Sequence, residues 1–171
     1  MPHRRPTPDE SNPFYHGYIA KVPDGSIVEV LERSRLSIVE MFSSLPADKW
    51  LYRYAPGKWT VKEVFLHMID GERVFAYRAL RIARGDATPM AGFDEQKYVP
   101  NSLANERSPA SLLQEFDLVR RSTLALLEPL DPSAWDRRGV ANDAEVSLRA
   151  LAYIIAGHAL HHTAIVLERY R

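Results

Sequence analysis

The sequence predicts an all-α protein: one four-helix bundle with a long crossover loop after the second helix. Three observations predict it. Apolar residues recur at helical spacing in four long segments. Capping residues, Pro and Gly punctuate those segments. No segment shows the apolar–polar alternation of a strand. A chain of 171 residues suits one domain with a substantial core, and 46% hydrophobic with 26% charged residues is ordinary globular composition.

Residues 1–13 are rich in Pro and polar groups, so the reading makes them a loose segment and 14–171 the folded domain. Phe14, Tyr15, Tyr18 and Ile19 suggest an arm docked on the body. Asp24-Gly25-Ser26 is a turn. From Ile27 the apolar residues Val30, Leu31, Ile38, Met41 and Phe42 mark the first long helix, which Pro46 ends. Pro56-Gly57 is the next break. The second helix lies within Trp59–Asp86, with Thr60 and Glu63 as a capping box and Gly85-Asp86 at its end. Residues 87–107, containing GFDEQKY, form a connection long enough to be functional or to hold structure of its own. Ser108 caps the third helix and Pro109 takes its first position. Leu112, Phe116, Val119 and Leu124 line that helix, which stops near Pro129. Asp131-Pro132-Ser133 starts a short turn bearing Trp135. The fourth long helix spans Glu145–Tyr170, with Ser147 as its cap.

Composition removes several functions. Lys plus Arg equals Asp plus Glu, 22 each, so no global field favours nucleic acid or an anionic membrane. The pairs Arg4-Arg5, Arg120-Arg121 and Arg137-Arg138 read as solvated faces. With no cysteine, disulfides, thiolate nucleophiles and Cys-ligated zinc are excluded, and any metal must rest on His, Asp or Glu. No apolar run is long enough to cross a bilayer, and the N-terminus lacks the apolar core of a secretory signal. The expectation is a cytoplasmic protein with no nucleic-acid or membrane partner.

GHALHH, residues 157–162, holds three of the six histidines. At about 100° per residue, His158 and His162 fall inside the apolar stripe of the fourth helix. Spaced i and i+4, their rings can converge on one atom. His161 sits on the stripe's shoulder, where it would line a pocket mouth. These residues alone leave metal ligation and a hydrogen-bonded core pair both open. On the second helix His67 lies about 80° from the stripe's centre, facing the flank. Glu63 and Arg78 share that flank with Asp70 nearby, a pattern that also suits a solvated face with helical ion pairs. Three imidazoles would leave an open coordination position for water or substrate. Glu63, Asp70 and Asp94 are the candidate general bases, Asp94 gaining from its place on the crossover. Tyr54, Trp59 and Tyr98 are candidate pocket walls.

The chain resembles the DinB-like superfamily, the group that includes the YfiT-type metal-dependent hydrolases. The matching segments are APGKWTVKEVFLHMIDGERVFAYRALRIARGD (55–86), GFDEQKY (92–98) and VSLRALAYIIAGHALHHTAIVLERY (146–170). The resemblance implies a four-helix bundle with His67, His158 and His162 as ligands of a divalent metal, zinc or nickel. It implies a homodimer acting on a small molecule, and a hydrolase using the metal and its water. Two alternatives follow from the same resemblance: an S-transferase or isomerase that uses a low-molecular-weight thiol, and a non-enzymatic metal-bearing binding or stress-associated protein.

Overall fold

A computed structural model describes residues 4–170. The helices are α1 (His16–Ile19), α2 (Ile27–Ser43), α3 (Val61–Ala83), α4 (Glu95–Asn101), α5 (Pro109–Leu127) and α6 (Leu148–Arg169). The four long ones, α2, α3, α5 and α6, form the predicted bundle. Around its axis their order is α2, α5, α3, α6. Each long helix therefore packs on two others, while α2 and α3 stand diagonally apart, as do α5 and α6. The crossover between α3 and α5 carries α4 and a 3-10 turn, Ala104–Glu106, so it has structure of its own.

The predicted caps are in place. Thr60 Oγ1 accepts from the Glu63 backbone N–H, and the Glu63 carboxylate accepts from the Thr60 N–H at 2.7 Å. Ser108 and Ser147 accept from the N–H groups of Ser111 and Ala150. These side chains satisfy N–H groups that a helix start leaves without partners.

A β-hairpin is the element the sequence reading lacked. Strands β1 (Arg138–Ala141) and β2 (Ala144–Ser147) pair antiparallel, so Glu145 and Val146 belong to a strand and α6 begins at Leu148. Four-residue strands rich in Ala and Gly carry little strand signal. The usable signal was the turn: Asn142 and Asp143 hold φ of 52° and 58°, and Asn-Asp tolerates the left-handed conformations that a two-residue hairpin turn needs.

Residues 4–13 are docked rather than loose, and residues 1–3 of that segment lie outside the described residues. The cause is Glu10. It is 1% exposed and accepts from Ser147 Oγ at 2.7 Å, Arg149 Nη1 at 3.0 Å and the Thr7 N–H at 3.0 Å. Burial alone would raise its carboxyl, but donors from Thr7, Ser147 and Arg4 outweigh burial and hold it at about 2. Glu10 therefore stabilises the fold above the ordinary carboxylate range, and that contribution disappears as pH falls towards 2. Glu10→Ala leaves Arg149 buried without its inner partner and is expected to cost about 3 kcal/mol. Limited proteolysis should then cut within residues 4–13 faster than in the parent protein.

α6 is the central helix. From Leu148 to Ala159 every residue is buried, so it has no polar face over that length. Contrary to the expectation from sequence, its length and mean hydropathy, 1.4 over its best window, make it apolar enough to cross a bilayer, although Arg149 and the histidines interrupt it. Of that window 61% is buried within the bundle. Gly157 permits this packing: a Cβ there would lie 2.1 Å from the Tyr18 backbone oxygen.

The core has two apolar clusters. One gathers Ile27, Leu31, Phe75, Ile82, Leu127 and Ile154. The other gathers Ile38, Phe42, Phe65, Ile69, Phe116 and Val166. Where they part, each long helix contributes a buried polar residue: Ser34, Glu72, Arg120 and His158. Arg120, expected on a solvated face, is fully buried. It makes two hydrogen bonds to Glu72, at 2.7 and 2.8 Å, and others to Ser34 Oγ and the Leu31 carbonyl.

Candidate metal centre

α3 and α6 place three imidazoles together. His158 Nε2 lies 2.9 Å from His67 Nε2, and His67 Nε2 lies 3.2 Å from His162 Nε2. One ring nitrogen from each residue falls within a 4.8 Å group. The i, i+4 spacing on α6 therefore converges as its periodicity indicates, and His67 reaches the same point from α3 although it sits off that helix's apolar centre. Gly71, one turn after His67, makes room: a Cβ there would approach His158 Cε1 to 2.8 Å.

The donor set fits a metal. An imidazole nitrogen carries one proton or one lone pair, so His67 Nε2 cannot pair well with both neighbours at once. Nitrogens about 2.0–2.1 Å from a tetrahedral ion lie about 3.3 Å apart, close to the observed spacings. Protonation is also suppressed. Burial pushes His67 down to about 4 against an upward pull from Glu95. Burial, then the His67 and His161 charges, push His162 to about 3. Burial holds His158 well below the usual range, with its neighbouring histidines and Arg120 adding to the effect. All three are neutral near pH 7, the form that ligates metal.

The histidines face a cavity of about 550 Å³. Its walls come from Phe14, Tyr15 and Tyr18 of the N-terminal arm, Trp59 and Phe75 beside the centre, and Phe93 on the crossover. The tip of the hairpin, Ala141–Ala144, closes another side through Ala141, Asn142 and Ala144. Trp59 packs on His67 with ring centroids 5.0 Å apart, as a wall residue should. Tyr54 instead packs on Tyr170, and Tyr98 is an exposed residue whose ring is tilted against Phe93. His161 is half-buried against Tyr18 and contributes no nitrogen to the cluster.

The three carboxylates named from sequence do not line this cavity. Glu63 is committed to the α3 cap, to Arg53 at 2.9 Å and to Asn105 at 2.9 Å. Asp70 lies 3.9 Å from Arg73, which binds Glu115 on α5; burial raises the Asp70 carboxyl. Asp94 caps α4 through the Gln96 N–H at 3.0 Å. The carboxylate on the cavity wall is its neighbour, Glu95. The Glu95 charge acts on His67 and, after burial, helps to raise the Tyr18 phenol. A spare carboxylate directly after an Asp N-cap was the available signal for Glu95.

Comparison with known proteins bears on the fold and the family. YfiT from Bacillus subtilis, described as a probable metal-dependent hydrolase with an unusual four-helix bundle topology, superposes with a TM-score of 0.75. It is 19% identical, and the match covers 83% of this chain and 82% of YfiT. No curated protein sequence matches the chain. The model of the DinB superfamily matches residues 30–166, a span that includes all three histidines, the whole of α3 and most of α6. The chain belongs to the DinB superfamily.

Proposed function

We propose that the protein is a metal-dependent hydrolase of small molecules, with zinc or nickel held by His67, His158 and His162. The convergence of three neutral imidazole nitrogens at the floor of an aromatic cavity carries this reading. Such a metal, when bound, acidifies water and polarises a carbonyl or phosphoryl oxygen. The chain's own groups supply the rest. Glu95 faces the cavity as the proton acceptor, in place of the three carboxylates expected from sequence. Tyr18, whose phenol stays protonated near neutral pH, can donate a hydrogen bond there. The aromatic walls exclude bulk water, which strengthens each of these interactions. The same reading keeps a homodimer and a cytoplasmic setting as expectations.

The test is elemental analysis of untagged protein purified without added metal, beside the His158→Ala/His162→Ala variant. Near-stoichiometric zinc or nickel in the first and none in the second is the expected result. Hydrolysis of a panel of 4-nitrophenyl esters should follow the metal, vanish with EDTA and return on reloading. Absence of metal, confirmed by titration, would sink the reading. Turnover that needs an added low-molecular-weight thiol would replace hydrolysis by S-transfer, and metal without turnover would indicate a binding protein.

A further inference from the structure

Among the described residues four arginines are buried: Arg35, Arg78, Arg120 and Arg149. Arg35 pairs with Glu32 and Asp117, Arg120 with Glu72, and Arg149 with Glu10. Arg78 differs. It is 3% exposed and lines the cavity, yet among the described residues no carboxylate lies within ion-pair distance of it. Its Nη2 donates to the Ala91 carbonyl at 2.9 Å. Its guanidinium carbon sits 5.9 Å from the centroid of Phe75 and 5.9 Å from that of Phe93. The two rings fix the guanidinium and contribute cation–π attraction. A guanidinium carries five N–H donors, and a buried charge is costly unless an opposite charge meets it.

We propose that the cavity takes a small organic anion, a carboxylate or a phosphate monoester, with its charged group on Arg78 and its apolar body against the aromatic walls. The proposal rests on the hydrolase reading for what happens at the histidines, and adds the class of substrate. Phe75 links the two ends: its centroid lies 5.8 Å from that of His158 and 5.9 Å from the Arg78 guanidinium carbon. A ligand lying along this ring reaches from the arginine to the histidine nitrogens. Glu95 fixes the direction. In the metal-free protein its negative charge, felt at His67 and Tyr18, disfavours an anionic group at that end and favours Arg78. Planar, two-pronged recognition of an anion is what a guanidinium does better than an ammonium.

The experiment is calorimetric titration of the full chain after EDTA treatment, so that no metal competes for the anion. The probes are 3-phenylpropionate, its neutral amide and 2-phenylethyl phosphate. At least one anion should bind about tenfold or more tighter than the amide, as expected for a hydrogen-bonded charge. The tighter of the two anions identifies the source of the charge. Arg78→Met keeps an apolar chain between the phenylalanines and should bring the ratio of anion to amide affinity down to about one. Arg78→Lys should fall between. Circular dichroism checks that the variants fold; if Arg78→Met does not, the acid-to-amide ratios of the parent and Arg78→Lys still decide. Equal affinity for acid and amide, no anion binding at millimolar concentration, or a preference that survives in folded Arg78→Met would overturn the proposal. The titration contains no metal, so it can fail while the elemental analysis succeeds, and the reverse.

Discussion

Arg120→Ala is expected to cost about 3–5 kcal/mol, because it strands the Glu72 carboxylate inside the bundle. That is a large part of the roughly 5–15 kcal/mol by which a domain is normally stable. Arg120 joins three helices: α5 supplies it, α3 supplies Glu72, and α2 supplies Ser34 and the Leu31 carbonyl. Both charged partners are almost completely buried, so solvent screening gives little relief. The origin of the loss can be tested. The double variant Arg120→Met/Glu72→Leu removes both charges and fills similar volume, so it should lose far less than Arg120→Ala. Urea unfolding of the three proteins measures this. A double variant as unstable as the single one would show that packing, not the orphaned charge, is responsible.

The second large effect is acid instability of the metal-free protein. An unfolded histidine titrates near 6.5, whereas burial holds His67 at about 4 and His162 at about 3. The unfolded chain therefore binds more protons in this interval, and stability falls as pH drops. The loss starts near the ordinary histidine value and continues down to the folded values. Between pH 7 and pH 5 each such imidazole contributes about 1–2 kcal/mol of lost stability. Urea midpoints in EDTA at those two pH values report it. His162→Leu removes one titrating group, so its midpoint should move less over the same interval. An unchanged pH dependence in that variant would refute the assignment.

Much of the frame was legible because helices announce themselves by period and punctuation. The Thr60–Glu63 box, Ser108 with Pro109, and Ser147 each sit where their chemistry indicated. His158 and His162 were legible for the same reason, since one turn of helix superimposes them. What escaped depends on distant partners. Arg120 looks like any surface arginine until Glu72, 48 residues away, is brought to it by packing. The docking of residues 4–13 depends on Glu10 meeting Arg149, 139 residues away. Of the adjacent pair Asp94 and Glu95, the first caps α4 and the second lines the cavity, a division of labour that only the start of α4 decides.

The walls of the cavity and its floor have different origins. The histidines stand on α3 and α6, whose neighbouring residues form the core, so changes around them risk the whole fold. Apart from Phe75 and Arg78 of α3 and Trp59 just before it, the enclosing side chains come instead from an arm near residue 15, a crossover near residue 94 and a hairpin tip near residue 142, outside the four long helices. These segments can vary in length and chemistry at little cost to the bundle. A lineage built this way can keep one histidine floor and change what the cavity admits by rewriting three loops. For an engineer, that makes the arm, crossover and hairpin tip the place to randomise when a new substrate is wanted.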